Sequence, residues 1–179
     1  QKQHLEITRD IANAFNRAYG ADTFVVPKSK IDEQLMTIPG TDGRKMSKSY
    51  NNIINIFLPE KELKKQVMGI VTDSKVLEEP KDPDSDNVFQ LFRLLAPTNA
   101  VEVMRDNYLA GGYGYGHAKK ELLEVLIDRF AEQRRSFQSL MADRTELDRL
   151  LRSGADKARQ VANATLDRVR SRAGYLARR

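Results

Sequence analysis

The segment Gly40-Thr41-Asp42-Gly43-Arg44-Lys45-Met46-Ser47-Lys48-Ser49 places three cations and the two serine hydroxyls in a polar, glycine-flanked stretch. No apolar period pins it into a helix or a strand, so the sequence predicts a mobile loop running to about Asn52. Ammonium groups act as point charges on negative charge, while hydroxyls and backbone N–H groups supply directed hydrogen bonds, a combination suited to polyphosphate. The loop is not a Walker motif, which needs glycine directly before Lys-Ser/Thr. Here Lys45 follows Arg44 and precedes Met46. The competing reading is a basic Lys-Ser loop without a catalytic role.

Other chemistries are poorly served. The only histidines, His4 and His117, lack metal-ligand spacing, and no carboxylate pair or Ser-His-Asp arrangement stands out, so no metal site is expected. The absence of cysteine excludes disulfides and thiolate metal sites; it fits a reducing, cytoplasmic setting, the favoured reading, and also many disulfide-free secreted proteins. Gly112-Tyr-Gly-Tyr-Gly116 lacks the spacing of a dinucleotide loop and follows a predicted helix, so it reads as a turn. No apolar run approaches the roughly 20 residues needed to cross a bilayer, so a soluble protein without membrane partners is expected. The net charge is +5, and from Lys157 onward seven cations face one acid, Asp167. Such a basic tail suits a phosphate backbone, although a solvated helix face accounts for it equally well.

The elements around the loop are mainly helical. Ile7, Ile11, Ala14, Phe15 and Ala18 recur at helical spacing, predicting a first helix over about 4–19 that Gly20 ends. Thr23–Val26 and Leu35–Ile38 are the strand candidates. Pro59 with Glu60 and Glu62 starts a helix with Leu63, Val67, Ile70 and Val71 as its buried face. The acidic, proline-bearing stretch 77–86 reads as a stiff surface linker. Val88, Leu91, Phe92 and Leu95 form the next stripe, stopped at Pro97, and Asn99 with Glu102 suggests a capping box. A long helix is expected over about 118–141 with Leu122, Leu126, Phe130, Phe137 and Met141 inward. Asp143 with Glu146 caps a short helix, and a final amphipathic helix follows Gly154.

The pentapeptide Lys45-Met46-Ser47-Lys48-Ser49 resembles, over all five residues, the second signature of class I aminoacyl-tRNA synthetases. Gln1-Lys-Gln-His4-Leu-Glu-Ile-Thr-Arg9-Asp10, Val71-Thr-Asp-Ser74, Gly114-Tyr-Gly116 with Lys119, and Gly154-Ala-Asp-Lys-Ala158 resemble bacterial tryptophanyl-tRNA synthetases in order and spacing. The resemblance covers nearly the whole chain, as the C-terminal portion of such an enzyme. It implies a mainly α chain, with the remnant of a Rossmann-like catalytic domain over 1–55 and a helical, anticodon-binding bundle over 56–179. It also implies that Lys45 and Lys48 are catalytic and that Lys45, Met46, Ser47, Lys48 and Ser49 bind ATP. Leu35 and Met36 would lie where the family's backbone reads adenine, and Gln1 would border the amino acid. Substrates and partners would be ATP with Mg²⁺, tryptophan and tRNA(Trp), and the intact protein would be a homodimer.

Two departures from the family pattern stand out. The lead Pro39-Gly-Thr-Asp-Gly-Arg44 and the following Tyr50-Asn-Asn52 differ from its commoner form, which bears on loop timing. No His-x-Gly-His or similar first signature is present, so the chain by itself is expected to be inactive. The alternatives to a synthetase fragment are a helical tRNA- or protein-binding module and the related tyrosyl branch.

Overall fold

Helices nucleate where the apolar periodicity and the cap residues agree, and the computed structural model describes residues 2–20, 23–30 and 37–175. The helices are α1 (Lys2–Tyr19), α2 (Glu60–Met68), α3 (Asn87–Leu95), α4 (Thr98–Ala110), α5 (Tyr115–Arg129), α6 (Ala131–Ala142) and α7 (Arg144–Arg172). The mainly helical architecture agrees with the sequence reading. The chain forms two compact units: one holds 1–33 and 140–179, the other 34–139.

The second unit carries the core. Pro59 precedes α2, with Glu60 and Glu62 in its first turn, and Leu63 and Val67, one helical turn apart, are fully buried. Val88, Leu91 and Phe92 give α3 an inward stripe, which packs on α4 and on Ala118, Leu122 and Leu126 of α5; α2 packs on α5 as well. Each such Leu or Phe stabilises the unit by about 1.5–3 kcal/mol relative to exposure. Asp86 caps α3, accepting the Phe89 N–H at 2.9 Å, and Tyr108 donates its hydroxyl to the same oxygen at 2.9 Å. Burial raises the Asp86 carboxyl above the usual carboxylate range.

Several expectations are corrected. Thr23–Val26 is not a strand: Asn16 of α1 brackets Phe24, accepting its N–H and donating to its carbonyl, both at 2.9 Å. One carboxamide thus takes the place of a neighbouring strand. Of the other candidate, Leu35 and Met36 lie outside the described residues, while Thr37 and Ile38 are not in a strand. Val71 is 55% exposed: α2 ends at Met68, so the helical period does not reach it, and its N–H is bonded to Thr41 O. Asn99 does not cap α4, which begins one residue earlier behind Pro97. The long helix predicted over 118–141 is broken at Phe130, where no proline or glycine signals the break. Phe137 instead stacks on Phe57 at 4.6 Å, and Met141 is 53% exposed. The two helices expected after Asp143 are one. The Asp143 cap is present, but α7 runs through Gly154, with i,i+3 pairs Glu146–Arg149 and Asp156–Arg159 on either side.

The stretch 77–86 is no mere surface linker. Lys81 is 2% exposed, and its ammonium donates to the carbonyls of Val76, Leu77 and Glu79 at 3.0–3.2 Å while lying 5.3 Å from the centre of the Tyr115 ring. Tyr115 in turn donates to Asp73 at 2.5 Å. The acidic, proline-bearing composition concealed one inward lysine around which the backbone folds.

Replacing Lys81 by Met removes all three bonds and is expected to lower unfolding stability by about 1–3 kcal/mol in urea titration. For Asp86 the sign follows from its raised value. The protonated folded state is favoured below the ordinary value of 3.8, and that contribution is lost as pH rises through the higher folded value. The variant Asp86→Asn should therefore gain stability relative to the parent as pH rises from about 4 to about 7, as denaturant curves at several pH values would reveal.

Candidate functional site

The cationic loop belongs to the second unit and is held by backbone bonds at both ends. Pro39 and Lys45 form an isolated antiparallel bridge; Gly40 donates to Arg44 O at 2.7 Å and Met46 to Ile38 O at 2.8 Å. Between them Gly43 takes φ +81°, a conformation that favours glycine. Ser47 then caps a single 3₁₀ turn, Lys48–Tyr50, its hydroxyl accepting the Ser49 N–H at 3.3 Å and lying 2.8 Å from the Ser49 hydroxyl. Asn51 closes the turn in the left-handed region at φ 52°.

At the centre sits Asn52, 2% exposed. Its Oδ1 accepts the Ser47 N–H at 2.8 Å. Its Nδ2 donates to Asp42 Oδ1 at 2.6 Å and to Lys45 O at 3.2 Å. Its own carbonyl accepts the Thr41 N–H at 2.9 Å. Thr41 O accepts from Val71 N at 2.7 Å, and the Asn87 side chain donates to Val71 O at 2.9 Å, so the loop is laced to the start of α3. The loop expected to be mobile is therefore tethered through most of its length, because a side chain supplies the partners that an apolar period would otherwise replace.

The three cations differ. Arg44 is bound to Asp42, Nε at 2.7 Å and Nη2 at 2.6 Å, and lies 4.5 Å from the centre of the Tyr50 ring. The Asp42 carboxyl is held below the usual range, first by the Asn52 bond and then by Arg44. Lys45 and Lys48 are exposed, and neither forms an ion pair among the described residues. Met46 points its side chain at the core, lining an apolar cavity of about 210 Å³ with Ile38, Ile54, Leu91, Leu122 and Leu126. Exposed ammoniums on a turn with an apolar anchor between them can meet an anion without first breaking an ion pair to any described residue.

The sequence reading singled out Lys45, Met46, Ser47, Lys48 and Ser49, and the structure brings them together on this turn. Gln1, Leu35 and Met36 lie outside the described residues. Asn52 and Asp42 were missed as organising residues; the only hint was a pair of asparagines directly after the turn, residues that tolerate left-handed backbone and bond locally. Among the described residues no group of three or more His, Cys, Asp or Glu is placed to hold a metal ion. His4 is an exposed residue of α1, and His117 lies in the first turn of α5. Of the basic tail, Arg159 and Arg170 are paired with Asp156 and Asp167, and Arg178 and Arg179 lie outside the described residues. No described helix is long and apolar enough to cross a membrane.

A helical chain presenting the complete Lys-Met-Ser-Lys-Ser turn matches, over residues 1–131, the family described as tRNA synthetases class I (W and Y), and it belongs to that family. Within it, the chain is 46% identical over 174 residues to the tryptophan–tRNA ligase of Rhodopirellula baltica and 44% identical over 176 residues to that of Fusobacterium nucleatum. These alignments cover 97% and 98% of the chain. The crystal structure of tryptophanyl-tRNA synthetase from Campylobacter jejuni, complexed with ADP and tryptophan, is similar at TM-score 0.80 and 40% identity over 96% of the chain. The chain spans about half of each of these relatives, 54% of their length.

Gly40 is buried against Asn52: an added Cβ would overlap the Asn52 side chain and lie 2.6 Å from its carbonyl oxygen. Gly40→Ala is expected to cost about 1–3 kcal/mol of stability and to speed hydrogen exchange at the Met46 and Ser47 amides, readable by urea titration and exchange mass spectrometry.

Proposed function

We propose that this chain is the C-terminal portion of an enzyme that joins tryptophan to tRNA(Trp) at the expense of ATP. Tryptophan's carboxylate attacks the α-phosphorus, the bond to the α,β-bridging oxygen breaks, and pyrophosphate leaves. The terminal ribose hydroxyl of tRNA then displaces AMP from the mixed anhydride. Lys45 and Lys48 stabilise charge on the departing pyrophosphate, while Ser47 and Ser49 hydrogen-bond phosphate oxygens and hold the turn. The Met46 backbone belongs to the same phosphate-facing surface. Mg²⁺ enters with the nucleotide and shares its charge. Catalysis of this kind is positioning plus electrostatics, so both ammoniums must be free to approach phosphate.

The observation that carries this reading is the complete pentapeptide on a tethered turn, with Lys45 and Lys48 exposed and outside every described ion pair. The names of the similar proteins support tryptophan over tyrosine. The finer assignments are proposals of the same kind. Residues 1–55 complete a Rossmann-like nucleotide domain, with Leu35 beside adenine and Gln1 beside the amino acid. Residues 56–179 face the anticodon, where the basic α7 suits a phosphate backbone. The whole enzyme is a homodimer of the cytoplasm.

The test joins this chain to the part of the Rhodopirellula relative that it does not match. In that chimera Lys48→Ala is expected to lower ATP–pyrophosphate exchange by about 10²–10³-fold, with tryptophan binding changed only modestly. Exchange at the parental rate removes Lys48 from the chemistry, and a chimera that activates tyrosine in preference to tryptophan reassigns the substrate.

A further inference from the structure

The functional reading assigns work to the lysines and serines of the turn and none to the residue that shapes it. We propose that Asn52 is a positioning residue for adenylate formation, one that sets the turn's cations in place and keeps the loop's own acid on Arg44 rather than on the lysines. This inference rests on the reading that the turn meets ATP phosphates.

A carboxamide buried to within 2% of its surface must have its donors and acceptor satisfied, and those of Asn52 are spent on the turn itself. The acceptor takes Ser47 N–H, which fixes the cap of the 3₁₀ turn and with it the backbone of Lys48. The donor group takes Lys45 O, which fixes the backbone from which the other lysine projects. The same nitrogen binds Asp42, and Asp42 holds Arg44 through two guanidinium nitrogens. Asn52 thus stands between two outcomes for the loop's positive charge: Arg44 neutralised by Asp42, and Lys45 and Lys48 left outside any described ion pair. Only a side chain that accepts and donates at once can serve both sides of the turn. Alanine offers neither function, and aspartate offers the acceptor alone while facing the Asp42 carboxylate at hydrogen-bonding distance.

A residue that merely stabilised the fold would, when removed, weaken binding of every substrate together with the unfolding midpoint. A positioning residue acts on the step that the positioned groups assist. In the chimera described above, Asn52→Ala is expected to lower kcat for ATP–pyrophosphate exchange by about 10–100-fold, the scale of a small misplacement of reacting groups, with the KM for tryptophan within about twofold of the parent. Asn52→Asp is expected to lose more at high pH than at low. Two carboxylates in contact share a proton as pH falls, so the ratio of its rate to the parent's should rise between about pH 8 and about pH 6. Asn52→Ala exchange within about twofold of the parent overturns the proposal. So does a tryptophan KM that rises in step with the loss of kcat. If Asn52→Ala does not fold, the pH ratio of Asn52→Asp decides, and a flat ratio counts against the proposal. Lys48→Ala measured alongside separates the two levels: its parental exchange overturns the phosphate reading beneath this one, whereas its loss beside an unimpaired Asn52→Ala overturns the positioning role alone.

Discussion

One carboxamide ties a cationic turn to itself, and the turn's geometry depends on it. Three positive side chains within five residues repel one another, and no apolar stripe over 40–45 is available to hold them together. Asn52 resolves this by hydrogen bonding: it accepts from Ser47, donates to Lys45, and recruits Asp42, the one acid in the sequence of the loop from 40 to 52. Because Asn52 is buried, these bonds are shielded from competing water, so each one lost would leave an unsatisfied polar group. Gly40 is part of the same constraint, since no larger residue leaves room for the amide.

The turn is in turn tied to the helical unit by polar lacing and one apolar anchor. Thr41, Val71 and Asn87 form a chain of backbone and carboxamide bonds that ends on α3. The residue before Asn87, Asp86, caps α3 and receives Tyr108 from α4. The start of α3 is therefore where the loop's lead, the connector's end and a buried tyrosine meet. On the other side of the turn Met46 reaches the core cavity beside Leu91 and Leu122, so the two lysines flank an anchored residue. The stretch 77–86 contributes through Lys81, whose three carbonyl partners fix its backbone from within.

The legible part of this arrangement was whatever the sequence states locally. Apolar spacing gave α2, α3 and the first part of α5, because Leu63 and Val67 or Leu122 and Leu126 share one face at any helical register. The pentapeptide gave the turn and its lysines. What remained hidden depended on partners distant in sequence or on cooperativity. A β-prone segment at 23–26 is satisfied by Asn16 of a helix, a choice that propensity cannot register. Gly154 reads as a stop, yet α7 continues through it, since a single helical glycine costs only about 1 kcal/mol against the propagation of the turns around it. Lys81 looked like one more charge in an acidic run, and only the folded backbone shows three carbonyls turned toward it. Asn52 carried no chemistry of its own type, so nothing in its identity announced a central position.

If the turn meets phosphate as proposed, hydrogen bonding rather than close packing is the support it requires. A cation buried in apolar surroundings would lose its charge or pay heavily to keep it, so Lys45 and Lys48 have to stay at the surface. Surface groups on an untethered loop, however, must be ordered at the moment of binding, and that ordering cost is set against the binding free energy. A buried amide behind an exposed turn separates the two demands, ordering the backbone while leaving the ammoniums hydrated. Asp42 completes the separation. Its carboxylate is bonded to Asn52 and Arg44 and forms no described ion pair with either lysine. On the proposed reading, the same anion placed against Lys45 or Lys48 would have to be displaced by every incoming phosphate, so the location of one acid, held by one amide, would set how much of the turn's positive charge a nucleotide meets.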